Sequence, residues 1–549
     1  MRTLLAVSPG LFLLAIAPAC DSGPGPVKEP PVLKVTSPAR GTYNGPAGQV
    51  VVSGTVEPGP SGDAVDKVLV NNVEAAVGAD GTFRAQIQVD EGATLIQTVA
   101  RGANGATATD TRAIEAGQMH AVGSDIPGAI TAALSTDTFA RISAAAGPML
   151  KGLDLNALIA PLQPVAHWDD PNGEDCKFAR VFIDDLQLSD VAISLSPVQN
   201  GLAFRAEIDK LDVSGHARYA LACITLENDV RITADKIVVA GTLNVTPNGA
   251  SGFTTKLANP DVTLTGFHIS ASPIPDSLIA DLHLDSAISF VISKVAEIAM
   301  NPLMNQALGA LAGPQRLDVA GKQLDMQVAP GTLSFAPDGA VVAMSLKVML
   351  GGSESSPGFI FTDNGAPAMD PNAGLQLGVA DDLVNEMLAE LQATGVLDLA
   401  IPVPGGLFDT AQVKMTLPPM ISADASDGAL RLVLPDVIAT FTSHGTPVAK
   451  AAINARLDLK ATPTVSGSGV ALQLGQPDIH IDVLDDVANT TGFGDQELAT
   501  ATSAVIAAQI DTVTPLLGAI PLPSIAGISL QNVSLTSDSG YVMLHAQLR

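Results

Sequence analysis

The hydrophobic and polar positions of this 549-residue chain follow one layout twice. In each copy, a short helix-like segment precedes long runs in which apolar and polar residues alternate, and a long apolar helix follows. The first copy extends from about Gly123 to Ala312 and the second from about Val379 to Leu517. Alternation with period two predicts half-buried strands, whereas apolar residues three and four apart predict helices. A helix along a curled sheet encloses an elongated apolar slot, which suits a hydrocarbon chain.

In the first copy, a helix is predicted to open at Ile126, because the following proline is tolerated in a first helical turn. A second helix is predicted over Ser277–Leu311, and Pro302 is expected to kink or break it. A one-residue shift in alternation, from Ile183 to Leu186, predicts a β-bulge. The strand-like runs of this copy are Phe178–Leu188, Leu202–Val213, Val230–Val245 and Val262–Ala271.

In the second copy, the long helix is predicted over Asp495–Leu517. Asp478, His480 and Asp482 share one face of the last strand-like run, and we assign that face to solvent rather than to a metal site. The strand-like runs are Gln412–Leu417, Ala429–Phe441, Lys450–Lys460 and Val470–Leu484.

The segment Leu33–Ala116 predicts a small all-β domain of about seven short strands. Its strands are rich in valine, and Asp80-Gly81 is a hairpin signal. The pattern from Val70 to Phe83 resembles bacterial immunoglobulin-like domains of cell surfaces. Such a domain is expected to act as a spacer, with adhesion as the alternative.

The N-terminus is predicted to be a targeting segment. Arg2 precedes the apolar run Leu4–Ala17, which is too short to span a bilayer. Small residues before Cys20, and a Gly/Pro-rich tether after it, resemble a bacterial lipoprotein signal. That resemblance implies acylation of Cys20 and an exported protein anchored in the cell envelope, at the outer membrane or cell surface. The alternative is cleavage after Ala19, which releases a soluble protein.

The chain has three cysteines, Cys20, Cys176 and Cys223. If Cys20 is acylated, one pair remains in an oxidising compartment, which predicts a disulfide between Cys176 and Cys223. Two buried free thiols are the alternative. The spacing offers no metal site, because no Cys-x-x-Cys or Cys/His pattern is present.

Composition narrows the possible partners. The net charge of −28 argues against nucleic acid and against electrostatic attachment to anionic membranes. Only 15% of the residues are charged and 47% are hydrophobic, so large cores are expected. We find no HExxH, P-loop or GxSxG motif in a suitable context. The sequence therefore predicts neither an enzyme nor a bound cofactor or metal.

Several segments resemble the family of bactericidal/permeability-increasing protein, lipopolysaccharide-binding protein and the plasma lipid-transfer proteins. Gly374–Asn385 and Ala393–Leu397 are similar to the start of that family's second barrel, and Ile520–Leu535 and Gly540–Leu544 to its end. The similarity covers about residues 120–549. It implies an α+β fold in which two tandem antiparallel β-barrels, each wrapped on a long helix, are joined by a central sheet into a boomerang-like molecule.

The resulting domain assignment places the immunoglobulin-like sandwich before the two barrels. It comprises a signal peptide at 1–19, a tether at 20–32, the sandwich at 33–117, an N-terminal barrel at 118–316, a linking sheet at 317–373 and a C-terminal barrel at 374–549.

Two features depart from the family. The chain is acidic, so capture of lipopolysaccharide by a cationic tip is not implied. The family's disulfide joins a strand to the long helix, whereas Ser277–Leu311 contains no cysteine.

Together these observations predict a membrane-anchored protein that binds or transfers lipids, holding acyl chains between helix and sheet. A surface adhesion or structural lipoprotein with filled barrels is the alternative. The residues predicted to contact lipid are Ile130, Leu134, Ile288, Val291, Ile292, Val295, Leu383, Met387, Leu391, Val505, Ile506 and Ile510.

Overall fold

The structure is a computed structural model. It describes residues 28–169, 177–221, 223–249, 252–308, 313–319, 321–362, 365–402, 408–422, 430–463, 469–484, 502, 520–521 and 530–548. These residues form two compact units. The first takes the described residues up to Ser37 together with Val51–Ile87 and Gln97–Asp110; the second takes Pro38–Val50, Gln88–Ile96 and the described residues from Thr111 onward. Among the described helices, none combines the length and apolar character needed to cross a bilayer.

The N-terminal part is built from short strands, as predicted. In β7 every second side chain is buried, beginning with Phe83, because successive residues of a strand point to opposite faces. One sheet has the order β1-β3-β7-β6 and another the order β2-β9-β8-β4-β5. The strands are β1 Val32–Ser37, β2 Thr42–Tyr43, β3 Gly48–Glu57, β4 Val65–Val70, β5 Val73–Glu74, β6 Ala76–Val77, β7 Thr82–Val89, β8 Gly92–Gly102, β9 Thr107–Ala116 and β10 Gln118–His120.

The first copy of the repeated layout contains long strands and two principal helices. Its elements are β11 Ile126–Ser135, α1 Thr136–Lys151, α2 Leu155–Ile159, a 3-10 turn Ala160–Leu162, β12 Ala166–Asp169, β13 Phe178–Val198, β14 Gly201–Leu221, β15 Ile224–Pro247, β16 Phe253–Thr265, β17 His268–Ser270, α3 Asp276–Asp281 and α4 Leu284–Leu308.

These strands form an antiparallel sheet of order β12-β13-β14-β15-β16, with β17 beside β15. β14 pairs with β13 and β15 along almost its whole length, and its buried residues alternate with more exposed ones along most of it. The predicted bulge is confirmed, because the pairing register shifts between Ile183 and Asp185. β14 and β15 run beyond their predicted limits at both ends, and β13 does so at its C-terminal end only. The strand predicted over Val262–Ala271 is divided between β16, which begins earlier, and β17.

The prediction that a helix opens at Ile126 is wrong. Ile126–Ser135 is strand β11, and the helix begins only at Thr136. A short, mostly apolar run such as Ala129–Leu134 cannot be distinguished from a helix by periodicity alone. The strand forms because β20 (Gly339–Leu350) and β22 (Leu375–Ala380) lie on its two sides and satisfy its backbone.

The helix predicted over Ser277–Leu311 is divided in two. α3 and α4 are separated by Leu282 and His283, and His283 has a positive φ of 42° that interrupts the helix. Pro302, by contrast, does not end α4, which continues to Leu308. The part of the prediction over residues 309–311 lies outside the described residues.

The described residues from Gly313 onward form the helix α5 and many strands. The elements are β18 Gly313–Val319, β19 Lys322–Ala336, β20, β21 Phe359–Phe361, a 3-10 turn Pro371–Ala373, β22, α5 Asp381–Ala393, β23 Leu399–Pro402, β24 Thr410–Met415, β25 Met420–Ser422, β26 Leu430–Ser443, β27 Thr446–Pro463, β28 Gly469–Leu474, β29 Asp478–Val483, β30 Ile520–Pro521, β31 Leu530–Asp538 and β32 Tyr541–Leu548.

A seven-stranded sheet brings the two copies together, with the order β18-β19-β20-β11-β22-β32-β31. Its middle strands, β11 and β22, are antiparallel, and each leads directly into a helix, α1 or α5. Outside them lie two hairpins, β20 with β19 and β32 with β31. The equivalent strands of the two copies thus meet at the centre. The sheet also uses strands outside residues 317–373, the segment assigned to linking the barrels.

A further antiparallel sheet of order β23-β24-β26-β27-β28-β30, with β25 beside β26 and β29 beside β27, belongs to the second copy. The strand predicted over Val470–Leu484 is interrupted: β28 and β29 both pair with β27, and Gly475–Pro477 lies between them. The predicted helix Asp495–Leu517 lies outside the described residues apart from Thr502, which is helical and buried.

Candidate functional site

A cavity of about 60 Å³ lies between helices and sheet in the first copy. One wall is formed by α1 and α4 and the other by β13, β14 and β15. Every residue of the lining is apolar, as the helix-and-sheet layout predicted. The lining consists of Ala146, Leu150, Leu153, Leu186, Leu188, Ile193, Phe204, Ala206, Ile208, Val239, Ile292, Val295, Ala296, Ala299, Met300 and Pro302.

Local periodicity explains this lining. Phe204, Ala206 and Ile208 alternate along β14 and therefore point to one side of the sheet. Ile292, Val295 and Ala299 lie on one side of α4, because residues three and four apart share a helix face. A water molecule needs about 10–15 Å³ and two to four polar partners. The cavity has the space and its lining lacks the partners, so it favours hydrocarbon over water.

The opposite side of α4 is polar and fastens the helix to the free edge of β16. The side chains of Glu297, Asn301 and Asn305 are spaced by one helical turn, and their oxygens accept hydrogen bonds from the backbone N–H groups of alternate β16 residues. The N···O distances are 3.2, 2.6 and 2.6 Å, to Leu257, Thr255 and Phe253 respectively. The Nδ2 of Asn305 also donates to the carbonyl of Phe253, at 2.9 Å.

Side chains also satisfy the free edge of β13. Gln163 both donates to the carbonyl of Ile183 and accepts from its N–H, at 2.8 and 3.1 Å. Asn156 of α2 accepts from the N–H of Leu186, at 3.0 Å, and Ser143 of α1 accepts from that of Leu195, at 2.8 Å. Over Phe178–Val181 this edge pairs with β12, and beyond Val181 helical or adjoining segments satisfy it, as α4 does for the edge of β16.

The predicted lipid-contacting residues of the first copy fall into three groups. Ile292 and Val295 line the cavity. Ile288 and Val291 are on the same helix and fully packed in the adjoining core, outside the lining. Ile130 and Leu134 belong to β11 in the seven-stranded sheet, so the reason for choosing them, a place on an opening helix, is wrong.

In the second copy, Leu383, Met387 and Leu391 of α5 pack against the large core that includes the first copy and the seven-stranded sheet. The α5 residues that pack in the core of the sheet containing β26 and β27 are instead Val384 and Leu388. Lipid contact at the three predicted positions stays a prediction. Val505, Ile506 and Ile510 lie outside the described residues.

The cysteine predictions are also untested by the structure. Cys20 and Cys176 lie outside the described residues. Cys223 follows β14 in the tight turn to β15 and is exposed, with a positive φ of 69°. The bridge between Cys176 and Cys223 therefore stays a prediction.

Three buried carboxyl groups on one face of α5 were not predicted. Asp382, Glu386 and Glu390 are 2%, 0% and 0% exposed. One oxygen of each accepts a backbone N–H, from Thr362, Gly123 and Leu350, at 2.9, 2.7 and 2.9 Å. Charges spaced four residues apart normally indicate a solvated helix face, so no local pattern indicated their burial.

Burial governs the protonation of these groups. It raises the pKa of Asp382 to about 7 and that of Glu386 to about 8, and it also raises the pKa of Glu390. The nearby carboxyl of Asp381 adds to the effect on Asp382, and Glu390 and Asp382 add to the effect on Glu386. The second oxygens of Glu386 and Glu390, both Oε2, are buried without a hydrogen-bond partner. A neutral carboxylic acid suits such a site better than a carboxylate.

The sequence pattern assigned the face that carries Asp482 to solvent. In the structure Asp482 instead belongs to a buried ionic cluster of the second unit. Its Oδ2 accepts from Arg40 Nη2 at 3.1 Å and from the N–H of Thr111 at 3.0 Å. Arg40 Nη1 also contacts Asp436, at 3.1 Å, and Asp436 is fully buried. Among the described residues, no three His, Cys, Asp or Glu side chains are grouped so as to hold a metal ion.

A family model described as "Glucodextranase, domain B" matches residues 31–118. No curated protein matches the chain. A crystal structure of lipopolysaccharide binding protein is similar over 77% of this chain and 99% of its own, at 14% identity and a TM-score of 0.38. P47 of Clostridium botulinum E1 is similar over 78% of this chain and 100% of its own, at 11% identity and a TM-score of 0.28.

Proposed function

We propose that this protein binds the hydrocarbon chain of a lipid in the cavity between α1, α4 and the β13–β15 face of the sheet. The observation that carries the proposal is the lining, which is apolar at every position. Each methylene group transferred from water into such a site contributes roughly 0.8 kcal/mol. Binding or transfer of lipids by a non-enzymatic mechanism is the function that this site supports best.

The size of the cavity constrains how a ligand fits. Small-molecule pockets typically measure about 300–1,000 Å³, whereas this cavity measures about 60 Å³. A hydrocarbon chain must therefore enlarge the space by displacing part of the wall. The flexible thioether side chain of Met300 can move without losing a hydrogen bond, whereas the methyl groups of Ala296 and Ala299 move only together with α4.

The proposal predicts that Ala299→Trp reduces bound fatty acid about ten-fold, equivalent to roughly 1.4 kcal/mol. Ala299 lies on the lining and is 7% exposed, so an indole there occupies the space a ligand needs. Val291 is a poorer choice, because it packs outside the lining. Binding is measured by native mass spectrometry and by solvent extraction of purified protein after incubation with palmitic acid.

The matched control is Phe290→Trp, which introduces the same side chain at an exposed position of α4. Thermal unfolding of each variant distinguishes a loss of binding from a loss of stability. If the core is filled rather than open, Ala299→Trp overpacks it and lowers the free energy of unfolding by about 1–3 kcal/mol. Wild-type protein that neither carries lipid nor takes up palmitic acid contradicts the proposal. That result favours the alternative function, a structural or adhesive lipoprotein with filled cores.

We further propose that Cys20 is acylated and holds the exported protein on a bacterial envelope membrane. The support is the sequence around Cys20, with small residues before it and a Gly/Pro-rich tether after it. Cys20→Ser is expected to move the protein from the membrane fraction to the soluble fraction of cells that express it. Unchanged partitioning into detergent contradicts the anchor but does not test lipid binding in the cavity.

A further inference from the structure

We infer that the hydrocarbon chain enters the cavity sideways, along the line where α1 faces α4. This inference rests on the proposed function and identifies which part of the wall moves. Beside the paired strands, the cavity is bounded by the contact of α4 with β16, the contact of α1 and α2 with β13, and the contact of α4 with α1 and α2.

The boundary between α4 and β16 is fixed by polar contacts. Glu297, Asn301 and Asn305 accept backbone N–H groups from alternate residues of β16. Thr255 adds a hydrogen bond from its hydroxyl to Asn301, at 2.7 Å. Separating α4 from β16 leaves these N–H groups at a strand edge without their present acceptors, which is unfavourable wherever water cannot replace them.

The boundary between α1 and β13 is fixed as well. Ser143 accepts the N–H of Leu195, and both groups are buried. One turn further along α1, a Cβ atom at Gly147 would lie 2.4 Å from the carbonyl oxygen of Val191, so the helix is packed directly on the strand backbone. Asn156 and Gln163 continue this attachment along β13 beyond α1.

The boundary between α1 and α4, in contrast to the other two, is lined by apolar side chains. The side chains that α1 and α4 present to the cavity are alanine, leucine, isoleucine, valine, methionine and proline, so these positions form no side-chain hydrogen bond across the gap. The polar positions of α4, such as Asn301, are about 200° around the helix from Ala299, given 3.6 residues per turn. A hydrocarbon chain between the helices replaces one set of apolar contacts by another. This boundary can therefore open while both polar boundaries stay closed.

The test compares distances across two boundaries with and without palmitic acid, by double electron–electron resonance between spin labels. One variant carries Ala144→Cys on α1 and Ser286→Cys on α4, both exposed positions. The matched control carries Ser286→Cys and Lys256→Cys, the latter exposed on β16. Both are made in the full chain with Cys20→Ser, and the same chain without added cysteines shows whether Cys176 and Cys223 take up label. Extraction of each sample measures the palmitic acid bound.

With palmitic acid bound, the distance between labels on α1 and α4 is expected to lengthen by a few ångströms, and that between α4 and β16 to stay unchanged. Bound palmitic acid together with a longer α4–β16 distance, or with neither distance changed, overturns the lateral entry and leaves lipid binding standing. Absence of bound palmitic acid from the labelled and the wild-type protein overturns the proposed function, and the entry route with it.

Discussion

Replacing Arg40 with methionine is expected to lower the free energy of unfolding of the second unit by about 3–5 kcal/mol, the range for breaking a buried ion pair by removing one partner. The guanidinium group is 13% exposed and contacts two carboxylates, of which Asp436 is 0% exposed. Methionine keeps most of the apolar stem but supplies no positive charge. Asp436 then remains buried without its cationic partner.

The hydrogen bonds of Asp436 explain why the expected loss of stability is large. Its oxygens also accept from the N–H groups of Gly41 and Ala113, each at 2.9 Å, and from Asn454 Nδ2, at 3.0 Å. These contacts hold the carboxylate in place, so it cannot turn towards water when Arg40 is lost. Calorimetry of the wild-type and variant proteins measures the change.

The matched control is Arg231→Met. Arg231 pairs with Asp212, but both side chains are well exposed, at 64% and 42%, and exposed pairs contribute little. We therefore expect no measurable change in the unfolding of this variant. A loss for Arg40→Met no larger than that for Arg231→Met contradicts the account of the buried cluster.

Glu386→Gln is expected to make the protein more stable at alkaline pH. The ordinary pKa of this carboxyl is 4.5, and burial raises it in the folded chain to about 8. Between these values the folded chain keeps a proton that the unfolded chain has released. The free energy of unfolding therefore falls as the pH rises from about 5 to 8. At about 1.4 kcal/mol per unit of pKa difference, the total is on the order of 5 kcal/mol.

Glutamine imitates the neutral acid, because its Oε1 can accept the N–H of Gly123 as Glu386 does. At pH 5 the variant and the wild type are expected to unfold at similar temperatures, and at pH 9 the variant at the higher temperature. Part of the pH dependence remains, since Asp382 and Glu390 also have raised pKa values. The exposed Glu227→Gln controls for loss of a charge. Equal stability of variant and wild type across this range contradicts a buried neutral Glu386.

The sequence predicted the long strands of the first copy well, because period-two alternation reports directly on a sheet with one buried face. Leu202, Phe204, Ala206 and Ile208 show this most clearly, and three of these four residues line the cavity. Periodicity failed for Ile126–Ser135, where both strand neighbours are distant in sequence and both faces are largely buried. No local signal distinguishes such a strand from a buried helix.

The same limit applies to the site. The apolar side of α4 could be predicted from helical spacing, and Ile292 and Val295 were found in this way. Which apolar residues line a space and which fill a core depends on the gap between helix and sheet, which spacing does not contain. The polar contacts of Glu297, Asn301 and Asn305 with β16 and the burial of Glu386 likewise depend on partners far away in the sequence.

Photolabelling tests the central claim, that a hydrocarbon chain lies between the helices and the sheet, most directly. Purified full-length protein is incubated with a palmitic acid analogue that carries a diazirine at its methyl end, irradiated, digested and mapped by mass spectrometry. We predict labels on Ala146–Leu150, Phe204–Ile208 and Ile292–Pro302, and competition by unlabelled palmitic acid. Folded protein that takes no label, or is labelled only at exposed positions such as Phe290, contradicts the account.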